Sequence, residues 1–153
     1  MIDFREQANK HEWPPIIYIA FLAAALVLDR FVPLPSPAVL RVLGGVAAAV
    51  GVALGGAAIL GFFRAHTSVM PTARAATLVV SGVYRLTRNP MYLAAVLFYG
   101  GFGLAWPLPW LALLSPVMAL ALDRLAIRRE ERHLAARFGD AYRDYCRRVR
   151  RWL

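Results

Sequence analysis

The chain has 153 residues, 59% of them hydrophobic, and a formal net charge of +9. Apolar runs of nearly bilayer-spanning length exclude an ordinary soluble domain, and leave room for one compact integral membrane domain over residues 1–153. The basic residues lie beside the apolar runs, which points to membrane topology and anionic head groups and away from nucleic acid. A single cysteine, Cys146, excludes an internal disulfide and a cysteine-based metal site.

In chain order, the first apolar segment is Ile16 to Leu28, introduced by Trp13-Pro14-Pro15 and ended by Asp29-Arg30 and a proline series. Acidic as well as basic residues precede it, without a small-residue cleavage site, so the expectation is no removable signal peptide. The second segment, Val39 to Phe63, carries six glycines whose spacing lets transmembrane helices approach closely. A polar connection from Arg64 to Pro90 follows, long enough to carry function or local structure. Within it Ser81-Gly82 reads as a turn, and Asn89-Pro90 as a helix start, because proline in the first helical position sacrifices no hydrogen bond.

The third segment runs from Met91 to Ala105, and the fourth from Leu111 to Ile127. Between them Trp106-Pro107-Leu108-Pro109-Trp110 makes a tight turn. At ~1.5 Å per residue these two arms reach only ~22 to 26 Å, so their hairpin ends at or just inside the membrane boundary. A re-entrant hairpin is the less favoured arrangement. The expected fold is all-α: four transmembrane helices, the last two a C-terminal helical hairpin, then an amphipathic cytoplasmic tail. Apart from Arg30 and Arg41, the basic residues cluster in the N-terminal segment, in 64–90 and from Arg124 onward. The positive-inside rule makes those regions and both termini cytoplasmic, most naturally at a bacterial inner membrane. In the tail, Ile127, Glu131, Leu134 and Phe138 share a helix face. Gly139-Asp140 interrupts it, and a second amphipathic stretch carries Tyr142, Tyr145 and Val149.

Chemistry concentrates in two places. Arg85 to Tyr92 reads Arg-Leu-Thr-Arg-Asn-Pro-Met-Tyr, and Glu130-Glu131 answers it one hairpin later. A carboxylate on an apolar face at a membrane boundary needs a cation. That cation is either Arg128, Arg129 or Arg132 on the same helix, an arginine of the 64–90 connection, or the ammonium of a ligand. Asn89 also suits a helix cap, and Tyr84 and Tyr92 suit interfacial aromatics. His66 lies close enough to reach the same pocket but reads as a solvated interfacial histidine. His11 and His133 read as surface residues.

Taken in order, Ser81-Gly82-Val83-Tyr84-Arg85, Arg88-Asn89-Pro90-Met91-Tyr92, Glu130-Glu131 and Phe138-Gly139-Asp140-Ala141-Tyr142 with Tyr145 resemble the isoprenylcysteine carboxyl methyltransferase family. The related phospholipid methyltransferases share that C-terminal core. The resemblance covers about 67–153. Two positions depart from the pattern: Gly-Val-Tyr stands where Gly-Pro-Tyr is usual, and Asn89 where a histidine is frequent. Asparagine cannot titrate near neutral pH, so a mechanism requiring a histidine there does not carry over.

The resemblance implies S-adenosylmethionine as methyl donor, held on the cytoplasmic side, with no metal. It implies cofactor contacts from Tyr84, Arg85, Asn89, Pro90, Tyr92, Glu131 and Tyr145. Gly101-Phe102-Gly103 resembles the Gly-x-Gly of phospholipid methyltransferases, although helix packing explains Gly101 and Gly103 better. Arg88, Arg129 and Glu130 are the candidates for orienting an acceptor or moving its proton. That acceptor is amphiphilic, a carboxylate, amine or thiol, and enters from the bilayer; the oligomeric state stays open. The alternatives are an NADPH-dependent membrane reductase of related fold and a non-catalytic lipid-binding or assembly protein.

Overall fold

The computed structural model describes residues 13–66 and 77–153. Its elements are five helices, one 3-10 turn and one π-helical turn, with no strand among the described residues. Helix α1 spans Trp13–Phe31 and α2 spans Ala38–Arg64. A single 3-10 turn, Gly82–Arg85, leads to α3, Pro90–Ala105. Helix α4, Pro109–Leu122, passes through a π-helical turn, Asp123–Ile127, directly into α5, Arg128–Arg148. Helices stand at each of the four apolar segments expected from sequence, and the flanking prolines Pro90 and Pro109 open α3 and α4. Residues 1–12 and 67–76, which include His11 and the middle of the polar connection, lie outside the described residues.

Three helical stretches are long and apolar enough to cross a membrane: α1, α2 and the continuous run from Pro109 to Arg148. Helix α3 is apolar but has only 16 residues. The apolar side chains of α1 and α2 face outward, with Ile19 67% and Val42 68% exposed. That pattern suits lipid, since water would make so large an apolar surface unfavourable.

Helix α2 packs most extensively against α3, and α1 against α4. The α2–α3 crossing is close because small residues meet there. A Cβ on Gly101 would stand 2.4 Å from the Ala48 nitrogen, and one on Gly51 would stand 2.7 Å from the Phe98 nitrogen. Backbone contact of this kind gains dispersion energy where lipid offers no hydrophobic drive. Beneath it, Ile17, Met118, Leu122 and Ile127 form a core that also takes up Tyr92 and Trp152. This core brings the start of α3, the π-helical turn and the end of the chain to one end of the bundle.

Candidate active site

The turn 87–89 is shaped by its own polar groups. The Thr87 hydroxyl accepts the Asn89 backbone N–H at 3.1 Å and donates to the Arg151 carbonyl at 3.0 Å. The Asn89 amide also donates to the Arg151 carbonyl, at 3.0 Å, and the Arg88 N–H donates to the Arg150 carbonyl at 3.0 Å. Asn89 thus precedes α3 as expected, yet its side chain makes no cap bond. It ties the turn to the chain segment after α5. Pro90 is fully buried behind it.

Across from this turn stand the two glutamates. The Tyr92 hydroxyl donates to Glu130 Oε2 at 3.1 Å. Glu131 Oε1 meets Arg88 Nη1 at 3.1 Å, and Arg151 reaches both Glu131 oxygens through Nε at 3.1 Å and Oε2 again through Nη2 at 2.6 Å. The cation on Glu131 therefore comes from the 64–90 connection, one of the expected sources, and also from Arg151. Arg151 Nη1 further donates to Asp123 Oδ1 at 3.2 Å, while Arg128 Nε donates to Asp123 Oδ2 at 2.8 Å. Hydrogen bonding to Glu131 holds the Arg151 guanidinium protonated even beyond its ordinary range.

Asp123 is a buried carboxylate in the π-helical turn. A wider turn of this kind displaces side chains from the α-helical register and recurs at functional sites. Here it carries the chain from the apolar helix α4 into the charged helix α5 without a break. Further along α5, Gly139 adopts φ 53°, ψ −123°. The interruption expected at Gly139-Asp140 is therefore present, as a kink that divides α5 into two helical arms.

Between the turn 87–89 and the two arms of α5 lies an open cleft of about 660 Å³. Arg88, Glu131, Tyr142, Cys146 and Arg151 form its inner wall. Arg88 Nη1 also donates to Cys146 Sγ at 2.8 Å, whereas its Nε is buried with no acceptor among the described residues. Such an orphaned donor is uncommon and marks a place where an acceptor is wanted. No group of His, Cys, Asp and Glu among the described residues is arranged to hold a metal ion.

The residues singled out from sequence divide into four groups. Arg88 and Glu131 line the cleft. Asn89, Pro90, Tyr92, Glu130, Tyr84 and Tyr145 brace it: the Tyr145 hydroxyl donates to the Tyr84 carbonyl at 2.7 Å, and the Tyr84 ring packs edge-on against Phe62. Burial pushes the Tyr84 phenol above its ordinary range. Arg85 and Arg129 are exposed and outside the cleft lining. Gly101 and Gly103 lie toward the far end of α3, pressed against α2 and α4 respectively, so their role in the structure is helix packing. Sequence reasoning missed Asp123 and Arg151. An acid closing a long apolar run was the available signal for Asp123; Arg151 was hidden among many tail arginines.

The phospholipid methyltransferase family profile matches residues 40–141. The chain belongs to that family. The match agrees with the resemblance to isoprenylcysteine carboxyl methyltransferases, and membership implies a membrane methyltransferase. A Haemophilus influenzae protein described as uncharacterized is 39% identical over 69 residues, 41% of this chain and 100% of its own length. No solved structure matches.

Proposed function

We propose that the protein is an S-adenosylmethionine-dependent methyltransferase acting on an amphiphilic acceptor, carboxylate, amine or thiol, at the cytoplasmic membrane boundary. One observation carries this reading: Arg88 of the turn and Glu131 of α5 face each other at 3.1 Å on the wall of a 660 Å³ cleft. Family members of this kind generally use that donor. Its size suits a cleft in the ~300–1,000 Å³ range of small-molecule sites. It is a zwitterion with an added sulfonium charge, so it needs a carboxylate for its ammonium and cations for its own carboxylate. Glu131 offers the first. Arg88, with its unfilled Nε, and Arg151 offer the second. Tyr142 gives an aromatic wall for a flat ring.

When bound, S-adenosylmethionine supplies an electrophilic methyl group on sulfur. The protein's part is to hold acceptor and methyl in line and to keep water out. Glu131 must exchange part of its bonding with Arg151 for the donor's ammonium. Arg151 keeps Asp123 as a partner when it does so. Glu130 acts through Tyr92, fixing the first turn of α3 beneath the cleft. Arg129 receives no role in this cleft. Four crossings, with α3 as a short third span and both termini cytoplasmic, complete the proposed topology.

Calorimetry of the detergent-solubilised protein tests the assignment. S-adenosylmethionine and S-adenosylhomocysteine are expected to bind in the micromolar range, and NADPH is expected not to bind. Binding of NADPH alone would replace the methyltransferase reading with a reductase.

A further inference from the structure

Seven arginines and a single glutamate line the cleft. Arg124, Arg128 and Arg132 stand before the Gly139 kink, Arg143 and Arg147 after it, and the kink brings the two stripes to one cleft. Glu131 is the one carboxylate in that lining among the described residues, and two guanidinium groups already sit on it. A ligand's ammonium cannot reach Glu131 without displacing one of them.

The geometry singles out Arg151 as the one that yields. Its side chain is 32% exposed against 15% for Arg88, and it also reaches a second carboxylate, Asp123 Oδ1, at 3.2 Å. Asp123 stands behind the cleft lining, with only 10% of its side chain exposed. Its other oxygen, Oδ2, meets Arg128 at 2.8 Å, so Oδ1 faces Arg151. The backbone explains how one guanidinium spans both acids. Asp123 and Glu131 are eight positions apart, which in an unbroken α-helix would set them about 80° apart around the axis. The π-helical turn takes up one extra residue and brings the two to within about 20° of one face. A partly buried guanidinium that gave up its carboxylate with no other to meet would be strongly disfavoured. With Asp123 behind it, Arg151 can leave Glu131 and stay paired.

We propose that Asp123 is a positioning residue for cofactor binding: it takes over Arg151 when a ligand's ammonium takes Glu131. Arg151 and that ammonium then compete for one carboxylate, and Asp123 sets the terms of the exchange from behind the wall. The role rests on the S-adenosylmethionine reading and adds to it a residue that touches no ligand.

The test is a double-mutant cycle on the full chain in neutral detergent, read by calorimetry with S-adenosylhomocysteine. This probe carries the ammonium but no sulfonium, so long-range attraction for a cation drops out. Asp123→Asn is expected to weaken its binding at least about fivefold, because Arg151 loses its second seat. In an Arg151→Gln background the same Asp123→Asn change should shift affinity less than about twofold, because nothing remains to be re-seated. Asp123→Glu keeps the charge and should recover most of the affinity.

Equal weakening in both backgrounds would make Asp123 a purely structural residue and overturn the exchange. Unchanged affinity in Asp123→Asn would overturn it as well. Circular dichroism confirms that each variant keeps its helices, and Asp123→Ser replaces Asp123→Asn in the cycle if the amide prevents folding. Absence of binding by the unaltered chain is a different failure: it removes the methyltransferase reading, and this role with it.

Discussion

Glu131 is held by two guanidinium groups from distant parts of the sequence, Arg88 and Arg151. Neutralising it without changing its shape removes the charge that a donor ammonium would use. Glu131→Gln is therefore expected to weaken S-adenosylmethionine binding by about 1–3 kcal/mol, measured by calorimetry. Unchanged affinity would remove Glu131 from the site. Tyr92→Phe deletes a single hydrogen bond, to Glu130, in a half-buried setting. The expected cost is about 0.5–1.5 kcal/mol of stability, visible as a lowered midpoint of thermal unfolding. At this scale the sequence was legible where motif residues touch one another, as Arg88 with Glu131 and Tyr92 with Glu130. It was not legible for Asp123 and Arg151. Their pairing joins residues 28 positions apart across a helix kink, and local pattern holds no record of that.

Among the elements, the α2–α3 contact depends on side chains that are missing rather than present. Gly101→Leu must push α3 away from the α2 backbone, because even a Cβ there would fall 2.4 Å from the Ala48 nitrogen. Overpacking of this kind costs typically ~1–3 kcal/mol or more. The expected outcome is a clear drop in thermal stability, whereas Gly56→Leu, where a Cβ meets open space, should have little effect. The helices themselves followed from apolar run length and proline placement. The π-helical turn did not, since Asp123–Ile127 carries no glycine or proline to mark it, and Ala126 and Ile127, which it buries completely, look like any apolar helix residues in sequence.

For the whole molecule, the proposed orientation rests on where the arginines gather, and Cys146 offers a direct readout as the one cysteine of the chain. It lies on the cleft wall and is partly accessible. A membrane-impermeant thiol reagent should label it in inside-out vesicles and leave it unlabelled in sealed right-side-out vesicles. In a Cys146→Ala background, Ser36→Cys between α1 and α2 should show the reverse. Labelling of both from one side would overturn the proposed topology. The resemblance carried by 81–92, 130–131 and 138–145 was enough to place the family. In sequence the cleft's outer arginines read as topological charge or, for Arg128 and Arg132, as partners of a glutamate; their convergence was not legible, because it depends on the backbone angle at Gly139.

The bonds from residues 87–89 to the carbonyls of Arg150 and Arg151 set an order of events during synthesis. The bundle helices can leave the ribosome and pair while one wall of the cleft still has nothing to lean on. Only when Arg151 emerges can the turn be fastened and Glu131 receive its second guanidinium. A nascent chain halted after Arg148 should thus insert and show helical content, yet take up no donor.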